Sequence, residues 1–216
     1  METDMGTRRA KKHDVTVVLK EAVILFVITL IAGLLLGFVY ELTKEPIAEQ
    51  ERKAIQEACA AVFQDASSFE TAEYIPSEEL QEQLAAASVI PGSAYKAFGS
   101  DGSLLGYVVE SISKRGYGGR LVLYAGIALD GTLKGVSILD ISETPGLGMR
   151  AEEVLVPQFQ DKNVDSFVYT KTGSTSDNEI DAITGATVTT RAFTSAVNGA
   201  LQMARELDAQ RGGSDE

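Results

Sequence analysis

Ala22–Tyr40 reads AVILFVITLIAGLLLGFVY, 19 residues without a charge, apolar on every side of a helix rather than along one stripe. At ~1.5 Å rise per residue the run extends roughly 28 Å, close to the thickness of a bilayer core. Lys20 and Glu21 bound it on one side and Glu41 on the other, and Tyr40 stands where an interfacial aromatic belongs. The pattern predicts a retained transmembrane helix over 22–40. A cleaved signal peptide would carry a shorter apolar run ending at a small-residue cleavage site.

Beyond the span the periodicity changes. Thr43 to Phe63 reads as a helix capped by Thr43 with Pro46 in its first turn, and Ile47, Ile55, Ala58 and Val62 share a face. Cys59 beside that face reads as a small buried hydrophobe. Ser77 to Ala87 predicts a second, short helix with Ser77 as cap. Tyr95–Phe98, Leu104–Ser113, Arg120–Leu129 and Leu133–Ile141 are rich in Val, Ile, Leu and Tyr. Asp101-Gly102 and Asp130-Gly131 separate neighbouring runs as hairpin turns do. Ala151–Gln160 predicts a helix, Thr170–Asp177 a loop, and Val188–Ala209 a final helix. In that helix Phe193, Val197, Ala200, Leu201, Ala204 and Leu207 fall on one face. The expected class is α+β: a mainly antiparallel sheet flanked by helices, after one N-terminal membrane helix. The expected divisions are a basic tail over 1–21, the span over 22–40, a helical juxtamembrane part over 41–92, a core over 93–209 and a frayed tail over 210–216.

Charge adds orientation. The net charge is −12. Arg8, Arg9, Lys11 and Lys12 precede the span, so the positive-inside rule expects a cytoplasmic N-terminus and an extracytoplasmic domain. Residues 21–216 carry 14 basic and 28 acidic side chains, a balance that repels a phosphate backbone and makes nucleic acid a poor partner. The single cysteine excludes an internal disulfide and any Cys-x-x-Cys pair. The single histidine, His13, lies in the basic tail, which makes a Ser-His-Asp or Cys-His catalytic set hard to build.

The candidate chemistry lies just before the last helix. Asp181-Ala182-Ile183-Thr184-Gly185-Ala186-Thr187 is a tight glycine-containing approach ending in a hydroxyl at a helix N-terminus. Free backbone N–H groups and the helix dipole attract a phosphate there, and Thr184, Thr189 and Thr190 are candidate hydroxyl donors. On physics alone Thr187 serves equally as an ordinary helix cap, with Asp181 as a turn residue. No metal site is expected.

This stretch resembles the D-x-x-[ST]-G-A-[ST] flavinylation motif of FMN-binding domains in Rnf-type electron-transport complexes and Na+-translocating NADH:quinone reductases. Asp181, Thr184, Gly185, Ala186 and Thr187 match it at each specified position. Glu143-Thr144-Pro145-Gly146-Leu147-Gly148 is similar to the ETPGLG loop of the same families, and Lys114–Gly119 leading into Leu121–Gly126 resembles the preceding sheet segment. The chain is most similar to the G subunit of the Rnf complex, a ferredoxin:NAD+ oxidoreductase that moves Na+ or H+. It departs from the quinone-reductase subunit in having no Trp, and from many proteobacterial G subunits in having Ser142 before the loop.

The resemblance implies a covalent FMN on Thr187 through a phosphodiester, installed by a flavin transferase that uses FAD and Mg2+. It implies cofactor contacts from Asp181, Thr184, Gly185, Ala186, Thr189, Glu143, Thr144, Leu147 and Gly148, with Asp181 either orienting the Thr187 hydroxyl or only shaping the turn. It implies a redox subunit, not a complete enzyme: an electron relay in the cell membrane whose partners are the other membrane subunits of the complex. Two readings stand beside it within the flavoproteins, an FMN subunit of a quinone reductase and a stand-alone extracytoplasmic flavoprotein. One stands outside them, a non-redox anchored scaffold domain.

Overall fold

The structure is a computed structural model that describes the backbone of residues 3–212 and the side chains of residues 15–212. The basic side chains Arg8, Arg9, Lys11 and Lys12, and the expected tail from residue 213 onward, lie outside the described residues. The chain divides into two compact units, Met1–Arg52 and Lys53–Glu216.

The described part of the first unit is helical. Helix α1 (Thr3–Val62) contains a segment that, by length and composition, is apolar enough to cross a membrane, and residues 15–52 are exposed throughout. The separate helix expected from a cap at Thr43 is not seen. Thr43 Oγ1 instead donates back to the carbonyls of Val39 (2.9 Å) and Tyr40 (3.3 Å), the bonding of a threonine inside a helix. Pro46 therefore lies within α1 rather than in a new first turn.

The second unit is built on a five-stranded antiparallel meander. Its strands are β1 (Ser68–Ala72), β2 (Val89–Phe98), β3 (Leu104–Ser113), β4 (Leu121–Ala128) and β5 (Leu133–Ile141), adjacent in chain order. Helix α2 (Glu78–Ala86) connects β1 to β2, and its cap is as expected: Ser77 Oγ accepts from Leu80 N at 3.3 Å. The expected strand at Tyr95–Phe98 extends back to Val89, past an irregularity between Pro91 and Ala94 that absorbs the proline.

Strand alternation sends side chains to opposite faces. Val108, Tyr124 and Ala97 face one way and pack with Ala58, Cys59, Val62 and Phe63, from the end of α1 and just beyond it. Tyr107, Val109, Leu121, Leu123 and Ala125 belong to the larger core, with Phe193, Val197, Ala200, Leu201 and Ala204 of helix α4 (Thr187–Gly212). Fully burying each large apolar side chain contributes about 1.5–3 kcal/mol. These two layers fix where α4 begins relative to the sheet.

The expected helix over 151–160 is broken. Helix α3 covers only Ala151–Val154, and Val156–Phe159 is a 3-10 turn with Pro157 near its start. A proline there cannot donate the hydrogen bond that would continue the α-helix. Phe159 nevertheless reaches the core edge-on to Phe167 (centroids 4.8 Å, 75°) and close to Phe193 (5.4 Å). Two short strands, β6 (Val168–Thr170) and β7 (Glu179–Asp181), pair in parallel beside α4, and β7 delivers the chain to the start of that helix.

Candidate functional site

The chain leaves β7 at Asp181 and turns once before entering α4. Ile183 N donates to Thr190 Oγ1 (3.1 Å), and the same hydroxyl donates to Ala186 O (3.0 Å). The turn closes with Ala186 N to Ile183 O (3.0 Å), and the helical ladder begins with Thr190 N to Ala186 O (3.0 Å). Thr190 is thus a staple inside the turn, and its buried hydroxyl is not offered to a ligand. Gly185 sits at φ +80°, a conformation other residues adopt only with strain, and Leu147 Cδ2 lies 3.2 Å from where its Cβ would stand.

Thr187 is the first residue of α4 and half-buried. A capping threonine accepts from the amide two or three residues ahead. The Thr187 hydroxyl makes no such bond, nor any other to a described residue. The amides of Thr187, Val188 and Thr189 precede the first helical bond, and the first turn holds no acidic residue. The feature is a hydroxyl and three forward-facing N–H groups at the positive end of a 26-residue helix.

These groups open onto a cavity of about 430 Å³, a volume suited to a drug-sized or cofactor-sized molecule. Its walls are Tyr117, Glu143, Thr144, Leu147, Gly148, Gly185, Ala186, Thr187, Val188 and Thr189. The structure therefore unites Gly185, Ala186, Thr187 and Thr189 with Glu143, Thr144, Leu147 and Gly148, although the two segments lie some forty positions apart in the chain.

Glu143 organises the opposite wall. It is buried, and its carboxylate accepts from Tyr117 N (2.8 Å) and Gly118 N (3.3 Å), which ties the β3–β4 loop to the exit of β5. Gly118 is required for this contact, because a Cβ there would collide with the backbone carbonyl of Ser142. Thr144 O receives the amides of Leu147 (3.1 Å) and Met149 (3.3 Å), which curls the loop back toward Gly185.

Besides Thr190, two sequence-predicted residues stand outside the cavity wall. Thr184 is exposed and does not line it. The Asp181 carboxylate accepts from Ser174 N (2.6 Å) and Ser174 Oγ (3.4 Å), so it holds the loop before β7. The same loop is anchored again by Glu179, whose carboxylate the Thr175 amide and hydroxyl hold below its usual range. Gln158 fixes the Asp181 backbone: its Oε1 accepts from Asp181 N (2.7 Å), and its Nε2 donates to Asp181 O (3.2 Å) and Val154 O (2.6 Å). Gln158 carries no signal in the sequence, and Thr190, expected as a hydroxyl donor to a ligand, spends its hydroxyl on the turn instead. Tyr117 and Val188 also line the cavity, and only the glycines flanking Tyr117 hinted at it.

The cavity suits a flat, phosphorylated ring. Tyr117, Leu147 and Val188 are large, exposed apolar residues on its wall, at 74%, 42% and 48% exposure. Thr189, by contrast, is 1% exposed, lines the cavity, and pairs its hydroxyl with no described residue. An apolar rim, a buried unpaired hydroxyl and a positive helix end are the donor set that FMN requires: cover for a ring, and hydrogen bonds and positive potential for a phosphate. Among the residues with described side chains, no cluster of His, Cys, Asp and Glu could hold a metal ion.

Known proteins resemble both the domain and the N-terminal region that precedes it. Residues 116–202 match the family model for the FMN-binding domain, and residues 12–62 match that for the RnfG N-terminal region. The chain is 32% identical over 207 residues to the G subunit of the Na(+)-translocating ferredoxin:NAD(+) oxidoreductase complex of Acetobacterium woodii, covering 94% of this chain and 99% of that one. It is 30% identical over 213 residues to the G subunit of the ion-translocating oxidoreductase complex of Vibrio cholerae, covering 90% and 94%. The crystal structure of Shewanella oneidensis NqrC shares the fold at a TM-score of 0.53 and 16% identity, over 75% of this chain and 98% of that one.

Proposed function

This chain belongs to the family of G subunits of ion-translocating oxidoreductase complexes, and from that premise we propose that it is a membrane-anchored electron relay whose Thr187 carries FMN through a phosphodiester. The observation that carries the reading is the unpartnered Thr187 hydroxyl, on the first turn of α4 and open to a cavity with an apolar rim. FMN, when bound, takes up and releases electrons one or two at a time.

The residues of the chain divide the remaining work. The first-turn amides of α4, the helix dipole and the Thr189 hydroxyl hold the phosphate side. Leu147, Val188 and Tyr117 would flank the ring, and Glu143 fixes the loop that bears Tyr117. Thr187 reacts once, in maturation. Its Oγ bonds to the flavin-side phosphorus of FAD as the bond to AMP breaks, and the hydroxyl proton leaves with AMP. The transferase supplies the acid–base chemistry and Mg2+; Thr184, exposed on the same turn, lies where that enzyme would reach it.

The helix over 22–40 anchors the domain in the cell membrane. The basic residues before it put the N-terminus in the cytoplasm and the flavin domain on the extracytoplasmic side. There it passes electrons between membrane subunits of the complex, and the coupling ion moves through those subunits. Flavin fluorescence of the denatured band on a gel separates this reading from a non-redox scaffold. A fluorescent band from a host with the transferase is expected, and a dark one refutes the reading. Impermeant thiol labelling of a cysteine placed near the C-terminus tests the orientation. Labelling on intact cells is expected, and protection reverses the topology.

A further inference from the structure

The face of α4 that begins at Thr187 lies along β6. Asn198 brackets Phe167, accepting from its amide (2.7 Å) and donating to its carbonyl (2.9 Å). Nearer the helix start, Arg191 places Nε and an Nη on the Tyr169 hydroxyl (3.3 and 3.2 Å). Arg191 follows Thr187 by four positions, so the two share a face with Cβ atoms roughly 5–6 Å apart. Helical side chains lean toward the N-terminus, so the Arg191 stem leans toward the turn that holds Thr187, while its guanidinium rests on Tyr169 beside the cavity wall rather than in it.

This cation stands at the wrong end of a helix. The N-terminal dipole opposes a positive charge, and the first turn supplies no acidic residue to offset it. Elsewhere in the second unit Arg120, Lys134, Lys162 and Arg205 each reach a carboxylate, whereas the exposed or half-exposed Lys96, Lys114, Arg115 and Lys171 reach none among the described residues. Arg191 reaches none among the described residues, in a unit with 12 basic and 23 acidic side chains, and its partner is a neutral phenol. Tyr169 orients the guanidinium without consuming its charge. Thr189, buried and unpaired on the neighbouring face, marks the same turn as built for a ligand.

We propose that Arg191, aimed by Tyr169, is the counter-cation of the phosphodiester at Thr187. The inference rests on the reading of Thr187 as the flavin attachment point. One fixed guanidinium matches the single negative charge of a phosphodiester and would hold its non-bridging oxygens in one orientation.

The test uses the full-length chain matured in a host with the transferase, as wild type, Arg191→Gln, Arg191→Lys and Tyr169→Phe. Intact mass of the wild type comes first, and an absent adduct defeats the reading of Thr187 and the proposal with it. With the adduct present, the phosphorus-31 resonance of the phosphodiester is recorded for each variant. Arg191→Gln should displace it, Arg191→Lys should restore most of the wild-type shift, and Tyr169→Phe should displace it partway. An unchanged resonance in Arg191→Gln overturns the proposal while leaving the attachment site intact. So does an Arg191→Lys resonance displaced as far as that of Arg191→Gln, which marks a packing role instead. If Arg191→Gln does not fold, Tyr169→Phe decides alone, displacement supporting the proposal and an unchanged shift overturning it.

Discussion

Replacing Thr190 by valine removes one oxygen atom and little volume, so it isolates the staple beneath Thr187. The wild-type hydroxyl accepts from Ile183 N and donates to Ala186 O. Ala186 O keeps its bond from Thr190 N, so the loss on that side is small. Ile183 N has no second acceptor among the described residues, and Ile183 and Thr190 are 2% and 0% exposed, so water does not replace the lost partner. A buried donor left unsatisfied costs about 1–3 kcal/mol. For a chain of this size each kcal/mol lowers the melting temperature by roughly 2–4 °C, so a loss of ~2 kcal/mol gives a drop of about 4–8 °C. Thr190→Ser keeps the hydroxyl and loses one methyl, worth about 0.8 kcal/mol. The assay is thermal unfolding of the full chain in detergent, followed by circular dichroism for wild type and both variants. Valine should be the more damaging substitution, and it should also reduce the fraction of chains modified at Thr187. A valine variant as stable as wild type, or more stable than the serine variant, refutes the argument that this hydroxyl holds the turn.

Glu143→Ala leaves the amides of Tyr117 and Gly118 without their acceptor. A stability loss of about 1–3 kcal/mol and faster proteolysis between Lys114 and Arg120 should follow, read by denaturant titration and limited trypsin digestion. Acid should weaken the domain. Asp101 (by the Ser103 hydroxyl, then its amide), Asp130 (by the Thr132 amide), Asp177 (by Lys162) and Glu179 (by the Thr175 amide) are all held below the usual carboxylate range. Each binds its proton less readily folded than unfolded, so its contribution is complete above the ordinary pKa near ~4 and disappears as pH falls through the lowered value. The melting temperature should therefore be flat near neutrality with respect to these groups and fall below about pH 4.

The parts of the fold governed by local pattern could be read from the chain. The apolar face expected of the last helix is the buried face of α4, from Phe193 to Leu207. The Asp-Gly pairs at 101–102 and 130–131 mark the hairpins that make the sheet a meander. Parts decided by distant contacts could not. Strand β1 is half polar and owes its conformation to pairing with β2. Strands β6 and β7 are three residues each, paired across a loop held by Asp181 and Glu179. At Thr43 the side chain fits a cap and a helix interior equally well, and only its bonds to Val39 and Tyr40 decide between them. At the site, the residue types at Gly185–Thr187 and Glu143–Gly148 announced themselves by motif. Their meeting across one cavity, and the supports from Thr190 and Gln158, depend on the tertiary fold.

The central claim is that Thr187 bears the flavin, and intact-mass spectrometry of the purified full-length chain tests it most directly. Wild type matured with the transferase should exceed the mass of its sequence by one FMN less one water, Thr187→Ser should retain the addition, and Thr187→Val should have the bare mass. An addition that persists in Thr187→Val would place the flavin elsewhere, and an unmodified wild type would contradict covalent attachment altogether.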